Sequence, residues 1–476
     1  MTYKSFLLFA LINASALCAL CTAADAATNT QAPLEIKLSH ASDELDSLRT
    51  EQLERLLARF NREQKNIRVN LALRRSEQEL TQINLLSEEA RARLLAQKIK
   101  FKPLYSLVSP AQAQKDALLD YDNLDTQGRR LALPWTFATP VLYLNKALFR
   151  QAGLNAEEAP KTWAELQETA LKLQAAGIDC PFTSARPAWI HIDNLSAWHA
   201  SKIRDTNGTF KFNDSLQIKH IALLSSWHKS HLFLYFGRRD EADQHFAAGE
   251  CAMLTSSSSL DAALRAQQNA TQNTEKKFEF TVAPLPHYDE ASSSTNPAQR
   301  TLADGASLWI LAGLSQAENK AMTHLIAFLT RPDVQASWAQ ESAYLVSLVS
   351  PNARNENKKT SQGKRNSATN SAPSNVWATP ANTGIAVAYA QISGRAKPAG
   401  SRLGATNAAY SRVSRTEPSQ TLLDEALEAV WAGQKSAKTA LDQAAFRVNH
   451  PTTAPTFSTT ARLSTKENIG AHASQP

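Results

Sequence analysis

Residues 252–264 read AMLTSSSSLDAAL, which is an apolar run, a polar run and a second run with helical spacing. The first run is typical of a buried strand, and the third is typical of the start of a helix. Residues 255–259 therefore predict a strand-to-helix turn. Such a turn has free backbone N–H groups and the positive end of a helix dipole, which suit an anion. A helix cap with spare serines fits the same pattern.

Strand and helix patterns alternate on both sides of this turn. Helical spacing recurs over residues 45–60, 81–96, 162–177, 321–329, 422–431 and 437–448. Short apolar runs typical of strands cover residues 34–39, 67–73, 131–134, 141–144 and 307–312. Strands that alternate with helices predict an α/β fold.

The composition is that of a folded protein. The chain has 476 residues, of which 43% are hydrophobic and 20% charged, so a buried core is expected. The length corresponds to about two to four domains. Lys and Arg number 51 against 44 Asp and Glu, and no basic run concentrates this excess on one element. We therefore expect no nucleic-acid partner.

The first 26 residues have the features of a secretory signal peptide. Lys4 precedes an apolar run over residues 6–19, and small residues Ala24 and Ala26 follow it. The run is shorter than the ~20 residues that a membrane span needs. We expect cleavage near Ala26 and a soluble, exported protein.

Two cysteines remain after this cleavage, Cys180 and Cys251. They are either joined in a disulfide, which an oxidising compartment permits, or are two separate buried thiols.

Three polar stretches interrupt the alternation, at residues 289–300, 351–382 and 451–476. Their few apolar residues bury too little surface to offset the entropy of ordering. We interpret residues 351–382 as a polar insertion and residues 451–476 as a disordered tail.

Sequence motifs for catalysis are missing. The chain has no GxxxxGK[ST], GxGxxG or GxSxG. No spacing of His and Cys is typical of a metal site, and the pair His228 and His231 is too small a set. The sequence therefore predicts neither an enzyme nor a cofactor or metal centre.

Several segments resemble the periplasmic solute-binding proteins of ABC importers (extracellular solute-binding protein family 1). KTW at 161–163 and FAAGECAM at 246–253 are general to that family. LSAW at 195–198, GRRDE at 237–241 and GASLW at 305–309 resemble its glycerol-phosphate branch. The resemblance implies a two-lobed α/β fold of type II, like that of maltose-binding protein, with a hinge and an interlobe cleft.

The resemblance also implies an organisation and a function. Lobe 1 would comprise residues 27–137 and 300–350, and lobe 2 residues 138–299 and 383–450. The protein would be a periplasmic monomer that binds sn-glycerol 3-phosphate or a related glycerophosphodiester. It would deliver this small-molecule phosphate ester, chemically unchanged, to the permease and ATPase complex of the inner membrane.

Four positions match ligand-binding positions of the family. Ser257 would donate its hydroxyl to a phosphate oxygen, Gly305 would let the backbone approach the ligand, and Tyr344 would hydrogen-bond through its hydroxyl. Arg412 would bind the phosphate through its guanidinium. Arg415 competes with Arg412, and the run of serines leaves the register of Ser257 open by one residue. Each residue also has a structural alternative. Ser257 could be a helix cap and Gly305 a tight turn. Tyr344 could be a core aromatic and Arg412 a loop arginine.

The sequence departs from the family pattern mainly in lobe 1. Ser76, Ala138 and Arg186 stand where the family has a cleft tyrosine, serine and tryptophan, and a cleft glutamate has no counterpart. Each lost hydrogen bond typically costs about 0.5–1.5 kcal/mol. Two alternatives therefore remain, namely a diverged scaffold with an interaction or structural role, and a sugar-binding paralogue. Arg186 has two interpretations. If it lies in the cleft, it favours a more anionic ligand; the alternative is that it is a surface arginine.

Overall fold

A computed structural model describes residues 32–108, 123–271 except 126, 200, 202, 204, 206 and 208, and then 278–289, 301–346, 383–393 and 417–450. The predicted signal peptide, the polar insertion, the tail and both candidate arginines, Arg412 and Arg415, lie outside the described residues.

Two sheets form the framework. The first has the order β2-β1-β3-β11-β4, with β5 also paired to β11, and consists of β1 (Leu34–His40), β2 (Ile67–Leu73), β3 (Ile83–Leu86), β4 (Phe101–Lys102), β5 (Leu133–Pro134) and β11 (Ser307–Leu311). The second has the order β10-β6-β9-β7-β8 and consists of β6 (Pro140–Asn145), β7 (Cys180–Ser184), β8 (Phe233–Leu234), β9 (Cys251–Ser257) and β10 (Phe280–Pro284).

Helices connect the strands. They are α1 (Ser47–Glu63), α2 (Glu88–Ala96), α3 (Lys146–Gln151), α4 (Trp163–Ala175), α5 (Leu195–Trp198), α6 (Ser215–Lys229), α7 (Glu241–Ala247), α8 (Leu260–Thr271), α9 (Gln316–Leu329), α10 (Pro332–Ser342), α11 (Gly384–Ser393), α12 (Glu417–Trp431) and α13 (Ala437–Asn449). Among the helices in the described ranges, none combines the length and the apolar character that a membrane span requires.

Each sheet has its own hydrophobic core. Leu53, Leu57 and Phe60 of α1 recur at helical spacing and are buried against the first sheet. Trp163 of α4 and Trp227 of α6 are buried against the second sheet. The described chain is therefore organised as two lobes, and we call the one with the first sheet lobe 1.

The hinge consists of two extended segments that cross between the lobes side by side. One joins β5 to β6, and the other leads into β11. The backbone N–H groups of Trp135 and Thr136 both donate to the carbonyl of Ala306 at 3.1 Å. Ala138 and Asp304 exchange two backbone hydrogen bonds of 2.8 Å. These bonds hold the two crossing segments together next to the cleft.

Helix α11 lies against both cores. Ile385 and Ala388 belong to the core of lobe 1, and Val387 to a cluster of lobe 2. The side-chain amide of Gln391 donates to the carbonyl of Pro140 at 3.0 Å. This helix therefore braces the hinge.

The prediction of a helix over residues 81–96 is wrong in its first part. Ile83–Leu86 is β3, and all of its side chains are buried, whereas α2 begins only at Glu88. A strand buried on both faces has no alternation of polar and apolar residues. A short run of this kind does not differ in periodicity from a buried helical turn.

The disulfide between Cys180 and Cys251 is formed. The two cysteines are directly opposite each other on the parallel strands β7 and β9, with a Cα–Cα distance of 4.5 Å. The first of the two alternatives for these cysteines is therefore correct.

Candidate functional site

A cavity of about 510 Å³ lies between the lobes next to the hinge. Lobe 1 lines it with the loop after β1, the starts of α1 and α2, and Tyr344. Lobe 2 lines it with the loop after β7, the segment before α7, the β9–α8 turn and part of α12. The cavity therefore has one wall from each lobe.

The structure brings three of the predicted ligand-binding residues together at this cavity. Ser257, Gly305 and Tyr344 all line it, although they are far apart in the sequence. Ala138, Arg186 and the neighbouring Trp189 line it as well. Arg186 therefore lies in the cleft, which excludes the surface alternative for this residue.

The serine run forms a turn with a fixed register. Strand β9 extends through Ser257, so Thr255, Ser256 and Ser257 lie in the strand, and the turn consists only of Ser258 and Ser259. Ser256 and Ser258 are fully buried, whereas Ser257 and Ser259 line the cavity. The hydroxyls of Ser257 and Ser259 are 2.8 Å apart, and the backbone N–H of Ser259 donates to the Ser257 hydroxyl at 3.3 Å. The end of β9 and the turn after it therefore present two hydroxyls to the cavity.

The opposite wall holds an aromatic side chain. Tyr344 follows the left-handed residue Ala343 at the end of α10, and its ring stacks on Trp338 with 6.1 Å between centroids. Burial raises the pKa of the Tyr344 hydroxyl. Tyr344 therefore stays protonated at neutral pH and can donate a hydrogen bond to a ligand.

Among the described residues, four arginines line the cavity, namely Arg49, Arg186, Arg238 and Arg239. Arg186 forms a two-bond pair with Asp240, at 2.7 and 2.9 Å. Arg238 forms a corresponding pair with Glu428 of α12. Both pairs lie within lobe 2, and Arg186, Arg238 and Asp240 bring charges of both signs to its wall of the cavity.

Sequence reasoning missed Arg49 as a cleft residue. It lies in the first turn of α1, three residues after the N-cap Asp46. An aspartate followed by an arginine at this spacing is more often an exposed ion pair at a helix start. The pattern alone did not separate a cleft arginine from a solvated one.

Two further carboxyl groups of the wall were also missed. The pKa values of Asp243 and Asp424 are both raised to about 7, and burial is the largest cause in each case. The charge of Asp240 contributes to the rise at Asp243, whereas Arg239 and Arg238 oppose the rise at Asp424. Among the described residues, the Oδ1 atom of each is buried without a hydrogen-bond partner. Each group therefore changes its charge near neutral pH, beside the space for a ligand.

We expect Asp424→Asn to stabilise the ligand-free protein more at pH 8 than at pH 5. The pKa of Asp424 is raised in the folded state, so the wild-type protein loses stability as pH rises from about 4 to about 7 and the buried carboxyl ionises. The neutral amide removes this loss. A difference of one pKa unit is worth about 1.4 kcal/mol, and the gain at pH 8 should exceed that at pH 5 by at least this amount. Urea unfolding at both pH values measures it.

Asp442→Asn is the matched control. Asp442 is on the exposed side of α13, bonded to Lys438 and Asn213, and those bonds lower its pKa. This variant should give no gain at pH 8. An equal effect of Asp424→Asn at pH 5 and pH 8 would contradict the raised pKa of Asp424.

The site offers hydroxyl, guanidinium and carboxyl groups for reversible binding. Within the described ranges, no set of three or more His, Cys, Asp and Glu side chains is arranged to hold a metal ion. Recognition of a polar, charged ligand by hydrogen bonds is what this arrangement supports.

Comparison with known proteins agrees with this geometry. Residues 70–368 match the family described as bacterial extracellular solute-binding protein. The sn-glycerol-3-phosphate-binding periplasmic protein UgpB of Yersinia pseudotuberculosis serotype I (strain IP32953) is 34% identical over 382 residues, with 76% of each chain covered. The chain belongs to the bacterial extracellular solute-binding proteins. UgpB of Escherichia coli O6:K15:H31 (strain 536 / UPEC) is 32% identical to this solute-binding protein over 379 residues, covering 76% of it and 77% of the relative.

Solved structures confirm the fold of this solute-binding protein. UgpB from Mycobacterium tuberculosis in complex with glycerophosphocholine matches with a TM-score of 0.60 at 20% identity, covering 87% of this chain and 97% of that one. The cyclic alpha-maltosyl-1,6-maltose binding protein from Arthrobacter globiformis matches with a TM-score of 0.61 at 16% identity, covering 88% and 98%. The predicted two-lobed fold of the maltose-binding-protein type is therefore correct.

Proposed function

We propose that this protein is the substrate-binding component of an ABC importer and captures sn-glycerol 3-phosphate or a related glycerophosphodiester in the interlobe cleft. The observation that carries the proposal is the convergence of Ser257, Gly305 and Tyr344 on one cavity beside the hinge. Relatives that are named for binding glycerol 3-phosphate match over three quarters of the chain and support it.

The chemistry of the cleft fits a phosphate ester. The hydroxyls of Ser257 and Ser259 line the cavity from lobe 2 and would donate to phosphate oxygens. Hydrogen bonds to charged groups contribute about 1.5–3 kcal/mol each. Arg412 or Arg415 would add a guanidinium from outside the described residues. Because the walls come from different lobes, a ligand that contacts both favours closure of the hinge.

This role also implies where the protein is located, how its lobes are composed and where it delivers the ligand. The protein would be a periplasmic monomer, exported with cleavage near Ala26, whose lobes correspond to residues 27–137 with 300–350 and residues 138–299 with 383–450. It would pass the ester unchanged to a permease and ATPase complex in the inner membrane, without enzymatic turnover and without a cofactor.

Ligand-linked stabilisation of the mature protein tests this function. Thermal unfolding is measured alone and with millimolar sn-glycerol 3-phosphate, glycerophosphocholine, maltose or inorganic phosphate. A ligand at 100 times its dissociation constant adds about 2.7 kcal/mol. We expect this gain with one or both glycerol phosphate esters and not with maltose.

Variants locate the binding in the cleft. Ser257→Ala should weaken binding of the stabilising ester about tenfold or more, because a donor to a charged oxygen is lost. Ser226→Ala is the control, since Ser226 is exposed on α6 away from the cavity. Stabilisation by maltose alone would indicate the sugar-binding alternative, and no stabilisation by any ester would overturn the proposal.

A further inference from the structure

The side chain of Arg49 is buried and lines the cleft. Arg49 belongs to α1 of lobe 1 and lines the same cavity as Ser257 and Tyr344. Only 4% of its surface is exposed. Its guanidinium carbon is 5.9 Å from the centre of the Tyr344 ring. The charge is therefore held inside the cleft rather than in solvent.

Arg49 connects the two lobes. Its Nη1 atom pairs with Asp46 of its own lobe at 2.6 Å. Its Nη2 atom donates to the backbone carbonyl of Ser259, which lies in the turn of lobe 2 that follows Ser257. The side chain thus spans the cleft at the point where the proposed phosphate donors lie.

The Nε–H of this guanidinium differs from the two N–H groups that bond to Asp46 and Ser259. Among the described residues, the Nε–H of Arg49 is buried without a hydrogen-bond partner. An unmatched buried donor is unfavourable, and more so when it carries charge. Arg186 and Arg238 differ from Arg49, because each already donates two hydrogen bonds to a carboxylate in its own lobe.

We infer that Arg49 binds an anionic oxygen of the ligand through its Nε–H and ties the ligand to the serine turn of the opposite lobe. This inference rests on the proposed function and identifies the anionic oxygen as that of the phosphate. A guanidinium presents its N–H groups in a fixed fork that matches phosphate oxygens. The arginine therefore supplies the phosphate with a cation from lobe 1, where the family's own ligand residues are largely replaced.

The test compares Arg49→Gln and Arg49→Lys with the control Arg55→Gln. Arg55 is two turns further along α1, half-exposed and paired with Glu51 at 2.7 Å. Calorimetric titration of each protein with sn-glycerol 3-phosphate and with glycerophosphocholine gives the affinities. We expect Arg49→Gln to weaken binding about 10- to 150-fold, the equivalent of one charge-assisted hydrogen bond.

Two readouts separate ligand contact from a purely structural role. Arg49→Lys keeps the charge but loses the fork, so its affinity should lie between those of the wild type and Arg49→Gln. The loss should be larger for the monoester, whose phosphate carries more charge, than for the diester. A structural defect would weaken both ligands equally and leave lysine no better than glutamine.

Each outcome has a distinct meaning. If the wild type binds a glycerol phosphate ester and Arg49→Gln binds it as tightly, this inference is wrong and the proposed function stands. If the wild type binds neither ester, the proposed function fails and this inference fails with it. Should Arg49→Gln not fold, Arg49→Lys alone decides, and an unchanged ratio between the two ligands contradicts the contact.

Discussion

Gly305→Ala should lower the free energy of unfolding by about 3 kcal/mol, near the upper end of the cost of overpacking a buried site. Gly305 lies where the two hinge segments are bonded together. A Cβ at this position would overlap the carbonyl of Thr136 and approach the Cα of Phe137 to 2.7 Å. These are backbone atoms, which cannot rotate away as a side chain would. The variant therefore has to push the crossing segments apart.

The same change should also weaken ligand binding, because the bonds of the hinge to Ala306 and Asp304 set the approach of the lobes. Gly313→Ala is the control. Gly313 has a φ of +84° and no atoms near the position of a Cβ, so alanine there incurs only the cost of left-handed backbone, about 1 kcal/mol. Chemical unfolding and ligand titration of both variants measure the two effects. Equal stability of the two variants would show that the hinge backbone yields without cost.

The long periodic elements of the fold were predictable from sequence. Apolar residues recur at the helical period over three or more turns in α1 and in the two helices on either side of Gly433. Their burial in the structure follows from that pattern. Short strands were harder to predict. β8 has two residues and β10 five, and pairing with distant strands, rather than local preference, decides that they are extended.

Some residues of the candidate site could likewise be predicted from the sequence, and others could not. Ser257 lies shortly after the motif at residues 246–253, and Gly305 begins the motif at residues 305–309, so both could be predicted from local sequence. Both line the cavity. Which serines are exposed needed the structure. Ser256 is buried where β9 pairs with β6, and Ser258 is buried beside Thr139, whose backbone N–H donates to its hydroxyl. Arg49 and Asp424 have no local signature at all. Their relevance arises when hinge and helix packing place them against a shared cavity.

Replacing both cysteines, Cys180→Ala with Cys251→Ala, should lower the free energy of unfolding by about 2–4 kcal/mol. The disulfide closes a loop with a sequence separation of 71 residues, which contains α5, α6, β8 and α7. Cross-linking a loop of this length restricts the unfolded chain, and the loss of that restriction is the main expected cost. Urea unfolding of the double variant and the oxidised wild type, followed by tryptophan fluorescence, measures the difference.

The effect should be concentrated in lobe 2, since both cysteines lie in its sheet. The strands that the disulfide joins continue to the cleft, β7 towards Arg186 and β9 towards Ser257. A reducing agent provides the control, because it should bring the wild type to the midpoint of the double variant and leave the double variant unchanged. Unfolding midpoints that do not differ between the oxidised wild type and the double variant would show that sheet pairing alone holds these strands. A lower midpoint with unchanged ligand affinity would instead show that the disulfide stabilises lobe 2 while the hinge and the serine turn shape the cleft.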